Sequence, residues 1–345
     1  MYLSAIIGAG FATGREIMTY FACFGYKGLI GLFLSCALIA FCGAKALLIV
    51  RECNIEGPHT FNKTVGGAVG GRFLTVCCGL FSYSAYIVVL AGMKQICGGS
   101  IMPVIIASVC AYAVLCCGFG TLTKICGICA PCLAGIIAII VVIGAFCGEN
   151  TSAEPEYIAS PIQMIVKILL YAGYNVLTSV CVLGRSRDIL SKKNTAIHGG
   201  IIGGMMLFVS GAAVLFGLVY GKIPPNTYEM PVMPLFGKDK AVIEIIVFAA
   251  MFLSAITGLT GTCVFFEEYI PEKQLGVYMG LAAIPATYIS FGRLMDYVYP
   301  VFGFAGIFLM IVLALTGCKK YNIENNKLRG RGKICRIQKI TKQKS

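Results

Sequence analysis

The residues most able to do chemistry stand near the beginning of the sequence, in the stretch IIGAGFATGREI. Gly8, Gly10 and Gly14 fall within seven residues, and Glu16 follows two residues later. Glycine lets a helix unwind, and unwound backbone presents free N–H and C=O groups that can bind an ion or a polar solute. A carboxylate beside such a break can exchange a proton or hold a cation. The stretch therefore predicts a binding site on an interrupted helix, with Glu16 as a coupling or ion-binding residue.

These glycines have two other interpretations. Gly8-x-Gly10 has part of the spacing of a dinucleotide-binding fingerprint, but that motif needs a strand before it and an acidic residue about 20 positions after it. The sequence offers neither. Gly10 and Gly14 also have the spacing of a small-residue face through which two helices pack closely. This packing interpretation stays open beside the interrupted helix.

The composition indicates an integral membrane protein. Hydrophobic residues make up 58% of the chain and charged residues 12%, and the mean hydropathy of +0.85 is far above that of soluble domains. Most of the 18 cysteines lie inside apolar stretches, so we interpret them as reduced thiols that pack as small hydrophobes. Cys126-x2-Cys129-x2-Cys132 has part of the spacing of an iron–sulfur site but no properly spaced fourth ligand. We predict no metal centre and no organic cofactor.

Ten apolar segments are long enough to cross a hydrocarbon core of about 30 Å, which takes roughly 20 helical residues. Lipid offers no partner to the edge of an open sheet, so all ten are expected to be helices. The sequence thus predicts an all-α integral membrane protein with ten transmembrane helices. The predicted spans cover residues 2–22, 28–50, 73–97, 101–118, 126–147, 162–183, 197–220, 241–265, 275–291 and 294–317.

The basic residues predict how these spans are oriented. With the amino terminus inside the cell, the inner loops and the tail hold 19 Lys and Arg residues, and the outer loops hold six. Basic residues concentrate on the cytoplasmic side of membrane proteins, so both termini are expected in the cytoplasm. The net charge of +13 is then mostly a topology signal. The tail lacks the interleaved aromatic residues of a nucleic-acid binder, and we predict no nucleic-acid partner.

The sixth span carries a second polar cluster around a glycine. It reads Tyr171-Ala-Gly-Tyr-Asn175, with Gly173 at its centre. Transporters built from inverted repeats interrupt corresponding helices in their two halves. The sequence therefore predicts a five-plus-five inverted repeat in which helices 1 and 6 are both discontinuous. Its predicted parts are a first five-helix repeat at 1–147, an extracellular connector at 148–161, a second repeat at 162–317 and a basic cytoplasmic tail at 318–345.

The opening motif resembles that of a known family. SAIIGAGFATGREI is similar to the first-helix signature of YkvI-type bacterial membrane proteins, whose usual form is close to GAGFASGQE. The YNV of the sixth span and the run YVYPVFGFAG, Tyr297 to Gly306, resemble the same pattern, as does the overall length. More distantly, IIGAGF is similar to the segment IIGSGIF of the amino acid–polyamine–organocation superfamily, which has the LeuT fold. Arg15 stands where the YkvI-type signature usually has Gln.

This resemblance implies a LeuT-like site lined by helices 1 and 6, with contributions from helices 3, 8 and 10. Gly8, Ala9 and Gly10 match the segment whose backbone amides hold an anionic substrate group in the superfamily. Ser254 and Thr257 lie on one face of helix 8, where sodium-coupled relatives place hydroxyl ligands for the ion. Such hydroxyls also bond to their own helix, so sodium coupling and proton coupling both stay open.

Two further features have both a functional and a structural interpretation. Ser82, Tyr83 and Tyr86 of the third span are either substrate contacts or hydroxyls that join helices. The outer loop KIPPNTYEMPVMPLFGK contains four prolines. It is either a stiff lid over an outer vestibule or a tether.

Together these patterns favour a secondary active transporter of a small solute, an amino acid or a related amine or carboxylate, working by alternating access. No catalytic triad, phosphate loop or ATP-binding segment is evident, so we expect no enzyme activity and coupling to a Na⁺ or H⁺ gradient. The alternative is a non-transporting, ligand-sensing receptor subunit on the same fold. The expected partners are the solute and the lipid of a bacterial plasma membrane; the oligomeric state stays unpredicted. The predicted substrate-binding residues are Gly8, Ala9, Gly10, Phe11, Thr13, Gly14, Ser82, Tyr83, Tyr86, Tyr171, Gly173, Tyr174 and Asn175, and the predicted coupling or ion-binding residues are Glu16, Ser254 and Thr257.

Overall fold

The structure is a computed structural model that describes residues 6–147, 156–183, 193–225, 227–237, 240–266 and 271–316. All regular structure in these ranges is helical. Most of the predicted connector, at 148–155, and the whole predicted tail at 318–345 lie outside the described residues. The helices are α1 Ala9–Ala12, α2 Arg15–Tyr20, α3 Gly28–Glu52, α4 Pro58–Ile96, α5 Met102–Cys116, α6 Phe119–Cys147, α7 Pro161–Leu183, α8 Lys193–Tyr220, α9 Ala241–Phe266, α10 Glu272–Ala286 and α11 Phe291–Leu315, with 3₁₀ segments at Ala22–Lys27 and Met233–Phe236.

The chain is a multi-pass helical membrane protein. In the described ranges, seven helices are long and apolar enough to cross a membrane. Described helices fall on all ten predicted segments, but α5 and α10 have only 15 residues each, fewer than the roughly 20 of a straight crossing. Ile139, Val209 and Leu315 on the outside of the bundle are more than half exposed. Such apolar outer surface is expected where a protein faces lipid.

The first predicted span is not one continuous helix in the residues that the structure describes, and it departs from helical geometry at Gly8 and at Gly14, which we call the first and the second break. Residues 1–5, which include the beginning of this span, lie outside the described residues. Gly8 is extended, with φ −114° and ψ −170°, directly before α1. Gly14 is left-handed, with φ +74°, directly before α2. That conformation favours glycine because glycine has no Cβ. A β-carbon at Gly14 would also lie 2.6 Å from the Val232 side chain, so both the backbone and the packing require glycine here.

The sixth predicted span is not interrupted, and this part of the prediction is wrong. The helix α7 runs through Tyr171 and Asn175 without a break, and Asn175 Nδ2 donates to the Tyr171 carbonyl at 2.9 Å. A β-carbon on Gly173 would overlap the Gly303 carbonyl oxygen, and one on Gly306 would overlap the Gly173 carbonyl oxygen. Gly173 therefore serves a close approach of α7 and α11 rather than an unwinding of α7.

The interrupted helix lies inside the bundle. The helix α1 is buried throughout, and α2 is buried except at Thr19. These short helices contact α4, α7, α8 and α9. Around them α3 packs on α8, α4 on α9 and α7 on α11. The breaks near Gly8 and Gly14 are thus enclosed by protein, which is the setting in which interrupted backbone is tolerated at membrane depth.

Candidate functional site

A cavity opens beside the first break of the interrupted helix. It has about 620 Å³ of empty space, its open side included. Its wall combines the residues around Gly8 with parts of α2, α4, α7, α9 and α11. The lining residues are Ile6, Ile7, Gly8, Ala9, Glu16, Phe81, Ser82, Ala85, Val89, Tyr174, Asn175, Thr178, Ser254, Thr257, Gly258 and Tyr299.

Residues predicted from four different spans meet at this cavity. Each of them brings a polar side chain or backbone groups to the cavity beside Gly8. Their convergence from distant parts of the sequence produces a concave site with a few placed polar groups, the usual form of a small-molecule site. The predicted residues that line it are Gly8, Ala9, Glu16, Ser82, Tyr174, Asn175, Ser254 and Thr257.

Tyr83 and Tyr86 do not line the cavity. The Tyr86 hydroxyl donates to Ser108 Oγ in α5 at 3.0 Å, and the Tyr83 hydroxyl donates to the Met279 carbonyl in α10 at 3.4 Å. Both hydroxyls therefore join α4 to the helices behind it. Of the two interpretations that the sequence leaves open for these tyrosines, the geometry fits the helix-joining one.

The remaining predicted residues of the first and sixth spans also do not line the cavity; they pack behind the residues that do. The Thr13 hydroxyl donates to the Ala9 carbonyl at 2.9 Å and so supports the short helix α1. Phe11 is fully buried, and Tyr171 packs behind Tyr174 with ring centroids 5.4 Å apart. The predicted residues that do not line the cavity are Gly10, Phe11, Thr13, Gly14, Tyr83, Tyr86, Tyr171 and Gly173.

Helix hydroxyls and unwound backbone lie side by side on one wall. Ser254 Oγ donates to the Ala250 carbonyl at 3.0 Å, and Thr257 Oγ1 donates to the Ser254 carbonyl at 3.0 Å. The hydroxyl protons are engaged in this way, and the oxygen lone pairs remain able to accept. A β-carbon on Gly8 would be 3.8 Å from Ser254 Oγ. Hydroxyl and carbonyl oxygens are the ligand types that a small hard cation prefers.

Glu16 is the charged residue of the cavity wall. It is 2% exposed, and its Oε2 makes no hydrogen bond of regular geometry with any residue that the structure describes. Its side chain folds back over Gly10, where a β-carbon would collide with Glu16 Oε1 and with the Met295 methyl group. Gly10 therefore provides room for the acid. Ionisable side chains at this depth are costly and are usually functional.

Aromatic rings surround this carboxylate. Phe81, Tyr174 and Tyr299 line the cavity with it. The ring centroids of Tyr174 and Tyr299 are 4.8 Å apart, and those of Phe81 and Tyr299 are 5.6 Å apart. One side of the cavity is therefore a continuous aromatic wall. The phenols that interact electrostatically with Glu16 are Tyr20, Tyr171, Tyr174 and Tyr299.

Arg15, the neighbour of Glu16 in sequence, is paired elsewhere. Its Nη2 donates to both carboxylate oxygens of Asp296 in α11, at 2.9 and 2.7 Å. Its Nη1 donates to the Tyr228 carbonyl at 2.9 Å. Arg15, Tyr228 and Asp296 do not line the cavity. The ion pair therefore joins α2, α11 and the loop after α8 beyond the second break, and Arg15 does not pair with Glu16.

The proline-rich loop docks at the second break. The Val232 amide donates to the Thr13 carbonyl at 3.1 Å. This bond satisfies a carbonyl beside the left-handed Gly14, where the helix ladder stops. Met230, Val232 and Leu235 of the loop are buried. This geometry fits the lid interpretation of the loop and not a loose tether.

We expect the Arg15–Asp296 pair to be energetically coupled. Arg15→Gln and Asp296→Asn should each lower the thermal unfolding midpoint, and the double variant should lose less than the sum. A coupling of about 1 kcal/mol is expected, because the Arg15 side chain is 7% exposed and that of Asp296 45%. The exposed Lys240–Glu244 pair, at 3.3 Å, is the matched control and should show almost none. Additive effects at Arg15 and Asp296 would contradict the pairing.

Eight residues of the cavity wall are absent from the sequence prediction, and three of these carry an aromatic ring or a hydroxyl group: Phe81, Thr178 and Tyr299. Tyr299 lies within the YVYPVFGFAG run that carries the family resemblance, and Phe81 is next to Ser82 in sequence. Thr178 follows Asn175 by three positions, so helical spacing alone places it on the same face. Tyr299 and Thr178 could thus have been found, whereas nothing in the sequence separates Phe81 from lipid-facing phenylalanines.

Lys167 of α7 is a further residue that sequence reasoning does not identify. Its ammonium donates to the Thr19 carbonyl at 2.6 Å and to Cys23 Sγ at 3.3 Å. The Thr19 carbonyl belongs to the last turn of α2, and a positive charge is stabilising at the carboxyl end of a helix. Lys167 therefore ties the sixth span to the end of the interrupted first span.

The described cysteines do not assemble a metal site. No group of three or more His, Cys, Asp or Glu residues that could hold a metal ion occurs in the described ranges. Cys126 is buried, whereas Cys129 and Cys132 are exposed on the apolar surface. The regular spacing of these three thiols thus distributes them over different faces of α6.

A relative covers almost the whole chain. The uncharacterised membrane protein YkvI of Bacillus subtilis (strain 168) is 26% identical over 333 residues, which cover 93% of this chain and 94% of the relative. The resemblance to YkvI-type proteins is confirmed. No protein-family model matches the chain. The part of the YkvI-type signature at Gly8, Ala9 and Glu16 is also the part that lines the cavity.

Proposed function

We propose that this YkvI-type protein is a secondary active transporter that moves a small solute, an amino acid or a related amine or carboxylate, by alternating access. The observation that carries the proposal is one cavity on which the Gly8 break, the buried carboxylate of Glu16 and the hydroxyl of Ser254 converge. Interrupted helices at membrane depth are typical of solute and ion sites in transporters. We propose no enzymatic activity and no organic cofactor.

We further propose that ten helices cross a bacterial plasma membrane as a five-plus-five inverted repeat of the LeuT type, with both termini in the cytoplasm. The packing of α3 on α8 and of α4 on α9 supports this, because each pair joins helices five positions apart in the proposed order. The equally short helices α5 and α10, of 15 residues each, are also five positions apart. The two repeats would comprise 1–147 and 162–317.

Alternating access requires that one side of the site closes while the other opens. We assign the closed side to the Arg15–Asp296 pair and the docked loop at Val232, because both bridge different elements beyond the second break. The cavity itself is lined by Ile6 and Ile7, on the opposite side of that break. Opening the outer side would then require the ion pair and the loop contact to separate.

The coupling ion in this proposal is Na⁺ or H⁺, and the wall at Ser254 allows a direct test of Na⁺. If Na⁺ binds there, Ser254→Ala should raise the sodium concentration for half-maximal uptake by about three- to tenfold, because one ligand oxygen is lost. Thr260→Ala is the matched control: its hydroxyl donates to the Ile256 carbonyl at 2.8 Å and does not line the cavity. Unchanged sodium dependence in both variants would favour proton coupling.

The test of the function begins with a thermal-stability screen of the purified protein against amino acids and amines, with and without sodium. The compound that stabilises the protein most is then offered, in labelled form, to proteoliposomes under an imposed Na⁺ or H⁺ gradient. Gradient-dependent accumulation is expected. Binding without accumulation under either gradient would instead favour the non-transporting sensor.

A further inference from the structure

The cavity contains a buried carboxyl group that no basic side chain on its described wall pairs. Glu16 is the charged residue among the described lining residues, and the remaining polar groups there are hydroxyls, an amide and backbone. Its neighbour Arg15 donates to Asp296 and to the Tyr228 carbonyl. A cationic solute that enters this cavity would therefore find a carboxyl group without a basic partner, and its positive charge would favour the ionised carboxylate beside it.

The aromatic wall distinguishes the kind of cation. Phe81, Tyr174 and Tyr299 form a cluster on the cavity wall that Glu16 also lines, with Phe81 and Tyr174 ring centroids 6.1 Å apart. A small inorganic cation prefers a shell of oxygen ligands. An organic ammonium is held instead by aromatic ring faces together with a carboxylate, since its charge is spread over an apolar surface. The apolar side chains of Ile6, Ile7 and Val89 on the same wall suit the carbon part of such a solute.

We propose that the solute class of this site is an organic ammonium ion, with its cationic group held between the Glu16 carboxylate and the rings of Tyr174 and Tyr299. This inference rests on the proposed function for its location, and it narrows the solute from amino acids, amines and carboxylates to compounds that carry an ammonium group. Because Gly10 has no side chain, there is room beside it for the Glu16 carboxyl group at this position. A solute with only a carboxylate has no cationic group to pair with Glu16.

The test is binding of four simple probes to the purified full-length protein: tetramethylammonium, n-butylammonium, n-butanol and butyrate. Thermal unfolding reports binding, and tyrosine fluorescence can follow it because the chain has 17 Tyr and no Trp. Both ammonium probes should raise the unfolding midpoint at millimolar concentrations, and butanol and butyrate should not. Equal stabilisation by butyrate, or no effect of either ammonium, would overturn the proposal.

Variants of the wall make the assignment specific. Glu16→Gln and Tyr299→Leu should weaken ammonium binding by about tenfold or more, whereas Tyr299→Phe, which keeps the ring, should remain within about twofold. Glu244→Gln is a control acid outside the cavity and should bind as the wild type does. If Glu16→Gln does not fold, the comparison of Tyr299→Leu with Tyr299→Phe still tests the proposal.

Two further outcomes separate this inference from the alternatives. If NaCl stabilises the wild type but not Glu16→Gln, and neither ammonium probe has an effect, Glu16 is a ligand of an inorganic cation and the proposal is overturned. Ammonium binding without uptake would contradict the transport function alone, and uptake of a solute without an ammonium group would contradict this inference alone.

Discussion

Glu16→Gln is expected to reduce both gradient-driven uptake and solute exchange in proteoliposomes by about tenfold or more. The substitution keeps the size and hydrogen-bonding capacity of the side chain and removes its charge. Because Glu16 is 2% exposed and lies on the cavity wall, water cannot take over the interaction of its carboxyl group with the solute. Initial rates of labelled-solute uptake measure the effect.

The outcome pattern separates the roles that Glu16 could have. Loss of uptake and exchange together indicates that the acid binds the solute. Retained exchange with loss of proton-driven accumulation would instead make Glu16 the coupling group. Glu244→Gln is the matched control, because Glu244 is paired with Lys240 and stands outside the cavity. Wild-type rates in Glu16→Gln under both sodium and proton gradients would contradict any role of this residue in transport.

Gly306→Ala is expected to cause the largest loss of stability. A β-carbon at Gly306 would overlap the backbone carbonyl of Gly173, and backbone cannot move aside as a flexible side chain can. Overpacking of this kind costs about 1–3 kcal/mol or more, so the midpoint of thermal unfolding should fall by roughly 2–4 °C or more in a chain of 345 residues. The close contact of α7 with α11, which carry Tyr174 and Tyr299, would open with it.

The control for this experiment is Gly135→Ala in α6. Gly135 is also inside a helix, but a β-carbon there has no atom within 4 Å. Alanine favours helix over glycine by about 1 kcal/mol, so this variant should be as stable as the wild type or slightly more stable. Equal destabilisation at both positions would mean that the α7–α11 contact is looser than the structure has it.

The sequence predicts the interrupted first helix but not the continuous sixth, and the reason is physical. The break at Gly14 is predictable because this glycine lies in a run of glycines followed by a charged residue. Gly173 stands alone, and whether a lone glycine unwinds its helix or allows a neighbour to approach depends on what packs against it. That neighbour is α11, more than a hundred residues further along the chain, and it brings its own glycines, Gly303 and Gly306, to the contact.

In the site, too, features set by the local sequence are predictable, and contacts between residues far apart in the chain are not. Glu16 is predictable because an acid inside an apolar span is rare. The pairing of Arg15 with Asp296 is not, because 281 residues separate the two in sequence. In the same way, the Tyr86 hydroxyl finds Ser108 on the next helix rather than the cavity. Residue type and spacing identify which helices could form the site, and packing decides which side chains face it.

Counterflow tests the central claim, solute movement through the Glu16 cavity, most directly. Proteoliposomes are loaded with the unlabelled compound that stabilises the protein most, and a trace of the labelled compound is added outside without any ion gradient. A carrier that alternates between two sides will accumulate label transiently inside, and Glu16→Gln should abolish this accumulation. Label that enters no faster than into protein-free liposomes, although the compound binds, would contradict transport and leave a receptor.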